Sequence, residues 1–214
     1  LTAAKLHVPV AHVEAGLRSF NRGMPEEINR VVADRLADIL FAPTPTAVEN
    51  LRREGITDGV HRAGDVMYDV ALRYGPKARE RSRILETLGL HGGAYALATI
   101  HRAENTDSPD RLRAIFEALG KLAAERPVVI PLHPRTSKML ERGGMKPLLA
   151  ALTVTEPVGF LDMVRLEQDA AVIVTDSGGI QKEAYFHGVP FVTLRDETEW
   201  VETVEIGWNV LAGA

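Results

Sequence analysis

Ala171–Ala184 reads AVIVTDSGGIQKEA: an apolar run, Val172-Ile173-Val174, then Thr175-Asp176, then Ser177-Gly178-Gly179, then a helical pattern from Ile180. A short continuous apolar run of this kind has the character of a parallel strand buried on both faces. A strand that turns through glycines into a helix directs unpaired N–H groups and the positive helix end at one spot, which suits a phosphate or diphosphate. Gly178 and Gly179 let the main chain approach such an anion with no Cβ in the way. Glu183 follows one turn later, placed to accept hydrogen bonds from sugar hydroxyls. The same residues also serve as a plain strand-to-helix turn with no ligand, and the pattern is not a full Walker motif.

Outward from this segment, short apolar runs alternate with helical patterns along almost the whole chain, the signature of α/β architecture with parallel sheets. The predicted strands are Val8–Val13, Ile39–Ala42, Val60–Ala63, Tyr95–Ile100, Val128–Leu132, Leu152–Thr155, Ala171–Thr175, Phe191–Leu194 and Asn209–Leu211. Between them, Glu26–Leu40 places Ile28, Val31, Val32, Leu36 and Ile39 on one stripe, which predicts an amphipathic helix. Thr44-Pro45 marks the start of a helix ending near Gly55, and Asp107-Ser108-Pro109 opens one running to about Glu125. A charge-rich helical stretch, Lys77–Leu88, follows a junction near Gly64. The expected organisation is residues 1–63 as the C-terminal part of one Rossmann-like domain and 64–214 as a second, with a ligand cleft between them. Leu1–Leu6 reads as the tail of a helix and Trp208–Leu211 as a strand with nothing closing it, so the expectation is an internal fragment of a longer protein.

His101, His133, Ser177 and Arg195 each fall just past a predicted strand end. In an open parallel sheet those positions share the edge at which ligands bind. In the first domain, Glu14 follows the strand of His12-Val13-Glu14-Ala15-Gly16-Leu17-Arg18, and Pro25-Glu26-Glu27-Ile28-Asn29-Arg30 opens a helix nearby. Glu26 and Arg30, four apart, share a helical face. These residues read either as a dipole-favouring acid with a surface ion pair, or as two carboxylates, Glu14 and Glu26, set for acid/base work with Arg30 in support. His101-Arg102-Ala103-Glu104-Asn105 reads either as a locally bonded turn or as a contact for a diphosphate.

Composition narrows the partners. Of 214 residues, 45% are hydrophobic and 25% charged, as in ordinary globular proteins. The formal net charge is −4, with no basic stripe, which argues against nucleic acid. The chain has no cysteine, so disulfides, thiolate metal sites and a cysteine nucleophile are excluded. No signal peptide or membrane-length apolar run is seen, so the expectation is a cytosolic protein with no membrane partner.

Taken together, HVEAGLR (His12–Arg18), PEEINR (Pro25–Arg30), HRAEN (His101–Asn105) and DSGGIQKEA (Asp176–Ala184) resemble the non-hydrolysing UDP-N-acetylglucosamine 2-epimerase family. Lesser matches are PLHP (Pro131–Pro134), EPVGFLD (Glu156–Asp162) and LRDETE (Leu194–Glu199). The resemblance implies a fold like that of the B-type glycosyltransferases, with UDP held mainly by the second domain. It implies that Ser177, Gly178 and Gly179 hold the diphosphate, Glu183 the ribose, and the Glu156–Met163 segment, Met163 included, the uracil. His101 would meet the diphosphate, His133 would be a substrate-binding residue, and Glu14 and Glu26 would be acid/base candidates near the sugar, supported by Arg30. The family's reaction eliminates UDP to an enclosed glycal and adds it back with C2 reprotonated on the other face, without metal or redox cofactor. A homodimer and a role in cell-surface polysaccharide biosynthesis are further family expectations. Thr198-Glu199-Trp200-Val201-Glu202 stands where many relatives have Thr-Glu-Arg-Pro-Glu, so Trp200 occupies a place where an Arg often meets the nucleotide-sugar, and the Trp version resembles another branch of the family. UDP-GlcNAc is the expected substrate, with uronate or diacetamido analogues as the alternative. The resemblance also places an Arg/Lys-containing loop and an acidic residue before this segment, so the 214 residues alone are expected to bind UDP weakly and not to turn over.

Overall fold

The computed structural model describes residues 1–213, which divide into two compact units, Leu1–Asp69 and the chain from Val70 onward. The division falls in the first turn of a helix, a few residues past Gly64.

The first unit holds a three-stranded parallel sheet in the order β1 (Ala11–Val13), β2 (Ile39–Ala42), β3 (Val60–Arg62). Its helices are α1 (Thr2–Lys5), α2 (Pro25–Leu36) and α3 (Pro45–Arg53); α4 (Val66–Arg81) leads into the second unit. The Thr44 hydroxyl accepts the Ala47 N–H at 3.1 Å, the expected cap of α3. β1 is shorter than the predicted Val8–Val13: Pro9 has no N–H for a ladder, and the Val8 N–H turns back to the Ala3 carbonyl. The helix expected to run to Leu40 ends at Leu36, because Ala37 is extended and Ile39 already belongs to β2.

The second unit carries a six-stranded, all-parallel sheet. Its strands are β4 (Ala96–Thr99), β5 (Val128–Pro131), β6 (Thr153–Thr155), β7 (Val172–Thr175), β8 (Phe191–Thr193) and β9 (Asn209–Leu211), in the spatial order β6-β5-β4-β7-β8-β9. Around it lie α5 (Ile84–Leu88), α6 (Ala103–Thr106), α7 (Pro109–Ala123), α8 (Pro134–Arg142), α9 (Phe160–Gln168), α10 (Gly178–Phe186) and α11 (Val201–Glu205). The expected Lys77–Leu88 helix is broken between α4 and α5, where Ser82 donates to Asp162 at 2.6 Å and accepts the Ile84 N–H. Alternate residues of β4 enter different cores: Ala96 and Ala98 join Phe116, Leu112 and Ile130, whereas Leu97, with Tyr95, joins Leu166, Ile173 and Phe191. Both faces of the sheet are therefore covered, which accounts for strands that read as unbroken apolar runs. The α/β class with parallel sheets is as the sequence predicts.

Candidate functional site

In the second unit, β5, β4, β7 and β8 are neighbours, and His133, His101, Ser177 and Arg195 follow their ends in that order. The sheet thus gathers these groups along one edge. The imidazoles of His101 and His133 stand 5.9 Å apart, tilted by 41°. They open onto a cavity of ≈ 200 Å³, and Met163, Val158, Pro157 and Ile180 line its apolar side. His133 caps α8 by accepting the Arg135 N–H at 3.2 Å, so its ring is oriented by the helix it starts.

The turn after β7 is held from below. The Ser177 N–H donates to the Thr175 hydroxyl at 2.9 Å, and that hydroxyl pairs with Thr99 on β4 at 2.6 Å. Ser177 Oγ accepts the Ile180 N–H at 3.4 Å as the cap of α10, whose first N–H groups have no intrahelical acceptor. A Cβ placed on Gly178 would meet nothing nearer than Arg195 Nη1 and Glu199 Oε2, both at 3.9 Å. A Cβ there would make only ordinary van der Waals contact, so packing leaves Gly178 free to be larger.

Asp176 does what the sequence reading did not foresee. Its fully buried carboxylate accepts the backbone N–H groups of His101 and Arg102 and the Asn105 amide, at 3.0–3.1 Å, and lies 3.3 Å from His101 Nδ1. One side chain thus ties the HRAEN turn to the glycine turn. Arg195, also buried, pairs with Glu199 at 3.0 Å. Trp200 is 7% exposed; its Nε1 donates to the Gly178 carbonyl at 3.2 Å, and the Lys182 ammonium lies 4.3 Å from its ring centroid. Trp200 is thereby tied to the main chain of the turn. Burial raises the carboxyl of Glu183 above its ordinary range, against the pull of the Lys182 charge.

In the first unit, Glu14 sits just past β1 with a φ of 72°, a left-handed backbone that is costly for a residue with a side chain. The loop after it is fastened by buried charges. Arg18 pairs with Asp34 at 2.8 Å and with Glu54 at 2.7 Å, and Asp34 also takes His12 Nδ1 at 2.6 Å and the Gly16 N–H at 3.1 Å. Burial alone would raise the Asp34 pKa, but the bonds from His12 and Arg18, the Arg18 charge and the Gly16 N–H leave it lowered. The first turn of α2 is tied to the same loop by Glu27, which accepts the Ser19 and Phe20 N–H groups at 2.9 and 3.1 Å. Arg30 lies 3.5 Å from Glu27, and Glu26 is exposed at the start of the helix.

This arrangement corrects the predicted orientation of α2. Its buried residues are Glu27 and Asp34, whereas Ile28, Val31 and Val32 are exposed. The loop needs acceptors for its N–H groups and for Arg18, and that demand turns the polar side inward. The outward apolar side, with Phe20, Arg18 and Glu54, lines the larger cavity, ≈ 340 Å³. Among the described residues no group of three or more His, Asp or Glu side chains is placed to hold a metal ion, and no helix is long and apolar enough to cross a membrane.

Comparison with known proteins places the chain in a family. A family profile described as UDP-N-acetylglucosamine 2-epimerase matches residues 1–214. The UDP-2,3-diacetamido-2,3-dideoxy-D-glucuronate 2-epimerase of Pseudomonas aeruginosa is 51% identical over 218 residues, covering 100% of this chain and 59% of the relative. The crystal structure of Methanocaldococcus jannaschii UDP-GlcNAc 2-epimerase in complex with UDP-GlcNAc and UDP matches with a TM-score of 0.92 at 43% identity, over 99% of this chain and 60% of that one. The Neisseria meningitidis enzyme bound to UDP-GlcNAc matches with a TM-score of 0.88 at 32% identity, over 99% and 59%. The chain therefore spans about 60% of the length of these relatives. On this match along its whole length, the chain belongs to the UDP-N-acetylglucosamine 2-epimerase family.

Proposed function

We propose that the protein is a nucleotide-sugar 2-epimerase that interconverts UDP-GlcNAc and UDP-ManNAc by eliminating UDP and adding it back. The observation that carries this reading is the Ser177–Gly179 turn: the first N–H groups of α10 and a cavity lined by His101, His133 and Met163 on the same sheet edge. In this reading the main-chain N–H groups of Gly178 and Gly179 and the Ser177 hydroxyl hold the diphosphate, and Glu183 takes the ribose hydroxyls. The uracil lies against Met163 and its neighbours. His101, oriented by Asp176, faces the diphosphate as negative charge grows on the leaving group. The C2 proton is barely acidic, so elimination needs a base at C2, and re-addition needs an acid on the other face. Glu14 and Glu26 take those parts, with Arg30 in support, and no metal or redox cofactor enters. A homodimer in the cytosol completes the proposal.

One observation favours a second substrate. Lys182 stacks on Trp200, which bonds the Gly178 carbonyl, and the 51%-identical relative is named for a diacetamido-glucuronate. A UDP-2,3-diacetamido uronate is accordingly the alternative sugar.

The test incubates full-length protein with each UDP-sugar in D2O and follows the sugar by NMR. Deuterium at C2 with UDP still attached is the expected result, and the sugar that exchanges faster names the substrate. Free sugar plus UDP would instead identify a hydrolase. Transfer only to an added acceptor would identify a glycosyltransferase, and binding without exchange a sensor.

A further inference from the structure

Beneath Glu183, α9 and α10 enclose a carboxyl group that the proposed chemistry leaves unused. Glu167 of α9 is 1% exposed, and neither of its carboxyl oxygens has a hydrogen-bond partner. The side chain of His187, itself only 6% exposed, brings Nε2 to 3.9 Å from Glu167 Oε2, beyond hydrogen-bond reach. The His187 N–H donates to the Glu183 carbonyl at 2.9 Å, so His187 and Glu183 stand one turn apart and share a face. Glu183 lies close enough for its charge to act on Glu167.

The other charged groups around the pair come from three elements. Lys182 of α10 acts on Glu183, and Arg79 of α4 acts on His187. Tyr95, leading into β4, donates its hydroxyl to the Leu166 carbonyl at 2.6 Å, and it senses Asp169, Arg165 and Glu167 of the α9 end. Two carboxylates confined together do not both ionise readily. Glu183 has the Lys182 charge in its favour. Glu167 has none: burial first, and then the Glu183 charge, drive it well above the carboxylate range. His187 does not supply the missing charge, because burial and then Arg79 lower its pKa.

We propose that Glu167 is a positioning residue for Glu183: it retains a proton, so that Glu183 alone carries the charge that receives the ribose hydroxyls, with neutral His187 beside it. The inference rests on the nucleotide reading of the turn. It makes UDP affinity bell-shaped in pH. On the acid side Glu183 gains a proton and loses acceptor strength. On the alkaline side Glu167 loses its proton, two like charges face each other, and Glu183 is pushed out of place.

The experiment titrates UDP into full-length protein from about pH 5 to about pH 10, a span that brackets a raised carboxyl. Unaltered protein is expected to lose affinity on the alkaline side by up to about tenfold per pH unit, the limit for one linked proton. In Glu167→Gln the alkaline limb disappears while the acid limb remains. Glu167→Leu, which also lacks a titrating group, gives the same result if the amide is not accommodated; circular dichroism checks that each variant is folded. Identical profiles in the unaltered and variant proteins, or an unaltered protein with no alkaline limb, overturn the inference alone. UDP bound at no pH overturns the nucleotide reading and the inference with it.

Discussion

The two units fix their loops by opposite means. In the second, every residue of β4 is buried, apolar side chains fill both faces, and the strand ends carry the candidate site. In the first, the loop after β1 is held by Arg18, Asp34, Glu54 and Glu27, while Phe20, Ile28, Val31 and Val32 face outward. A site at the ends of packed strands inherits its geometry from the apolar core. A site on the Glu14 loop inherits it from charge pairing, which depends on pH and on each partner being present.

The largest expected effect breaks the apolar side of this comparison. Phe116, fully buried against β4 and β5, costs about 3–5 kcal/mol when changed to alanine. Both tryptophans of the chain, Trp200 and Trp208, lie in the second unit, so denaturant unfolding followed by their fluorescence measures the loss. An unchanged midpoint would show that the core does not set that unit's stability.

Breaking the charged side comes next. Arg18→Leu leaves Asp34 buried without its cation, at a cost of about 3 kcal/mol. The expected readout is faster hydrogen exchange at the Gly16 amide, which donates to Asp34. The pH dependence has a definite sign. Asp34 is lowered in the fold, so its contribution is present above the unfolded aspartate pKa and is lost as pH falls through the lower folded value. In unaltered protein, protection of the Gly16 amide should therefore collapse only below about pH 4. Collapse already near neutral pH would show that the Asp34 carboxylate does not govern the loop.

The smallest effect sharpens the role of the glycine turn. Ser177→Ala removes the α10 cap, worth about 1 kcal/mol of stability. If the hydroxyl also holds diphosphate, UDP affinity falls further than the cap accounts for. A melting shift with UDP affinity intact would reduce Ser177 to a cap.

The second sheet was legible because strands buried on both faces leave an unbroken apolar signature, as in Val172–Val174 and Val128–Ile130. The caps at Thr44 and Ser108 were legible because their chemistry is local. The orientation of α2 was not, since periodicity counts apolar residues without registering that a neighbouring loop needs Glu27 and Asp34 as acceptors. Asp176 was missed for a related reason. Its partners, His101, Arg102 and Asn105, lie more than 70 positions away in the chain, and only the pairing of β4 with β7 brings them together. Glu167 resembled any acid on an amphipathic helix until packing enclosed it. The cavity beside His101 and His133 likewise depends on strand order, although the placement of both residues after strand ends hinted at it.

Gly178 separates two kinds of constraint that usually coincide. Its backbone is ordinary, and a methyl group there would meet only van der Waals neighbours. Any intolerance of alanine at this position therefore originates outside the polypeptide, in a molecule that must come closer than a methyl group allows. Alanine there becomes a ruler for the guest: the folded host stays as it was, and the change in occupancy reports how near the anion presses to the main chain.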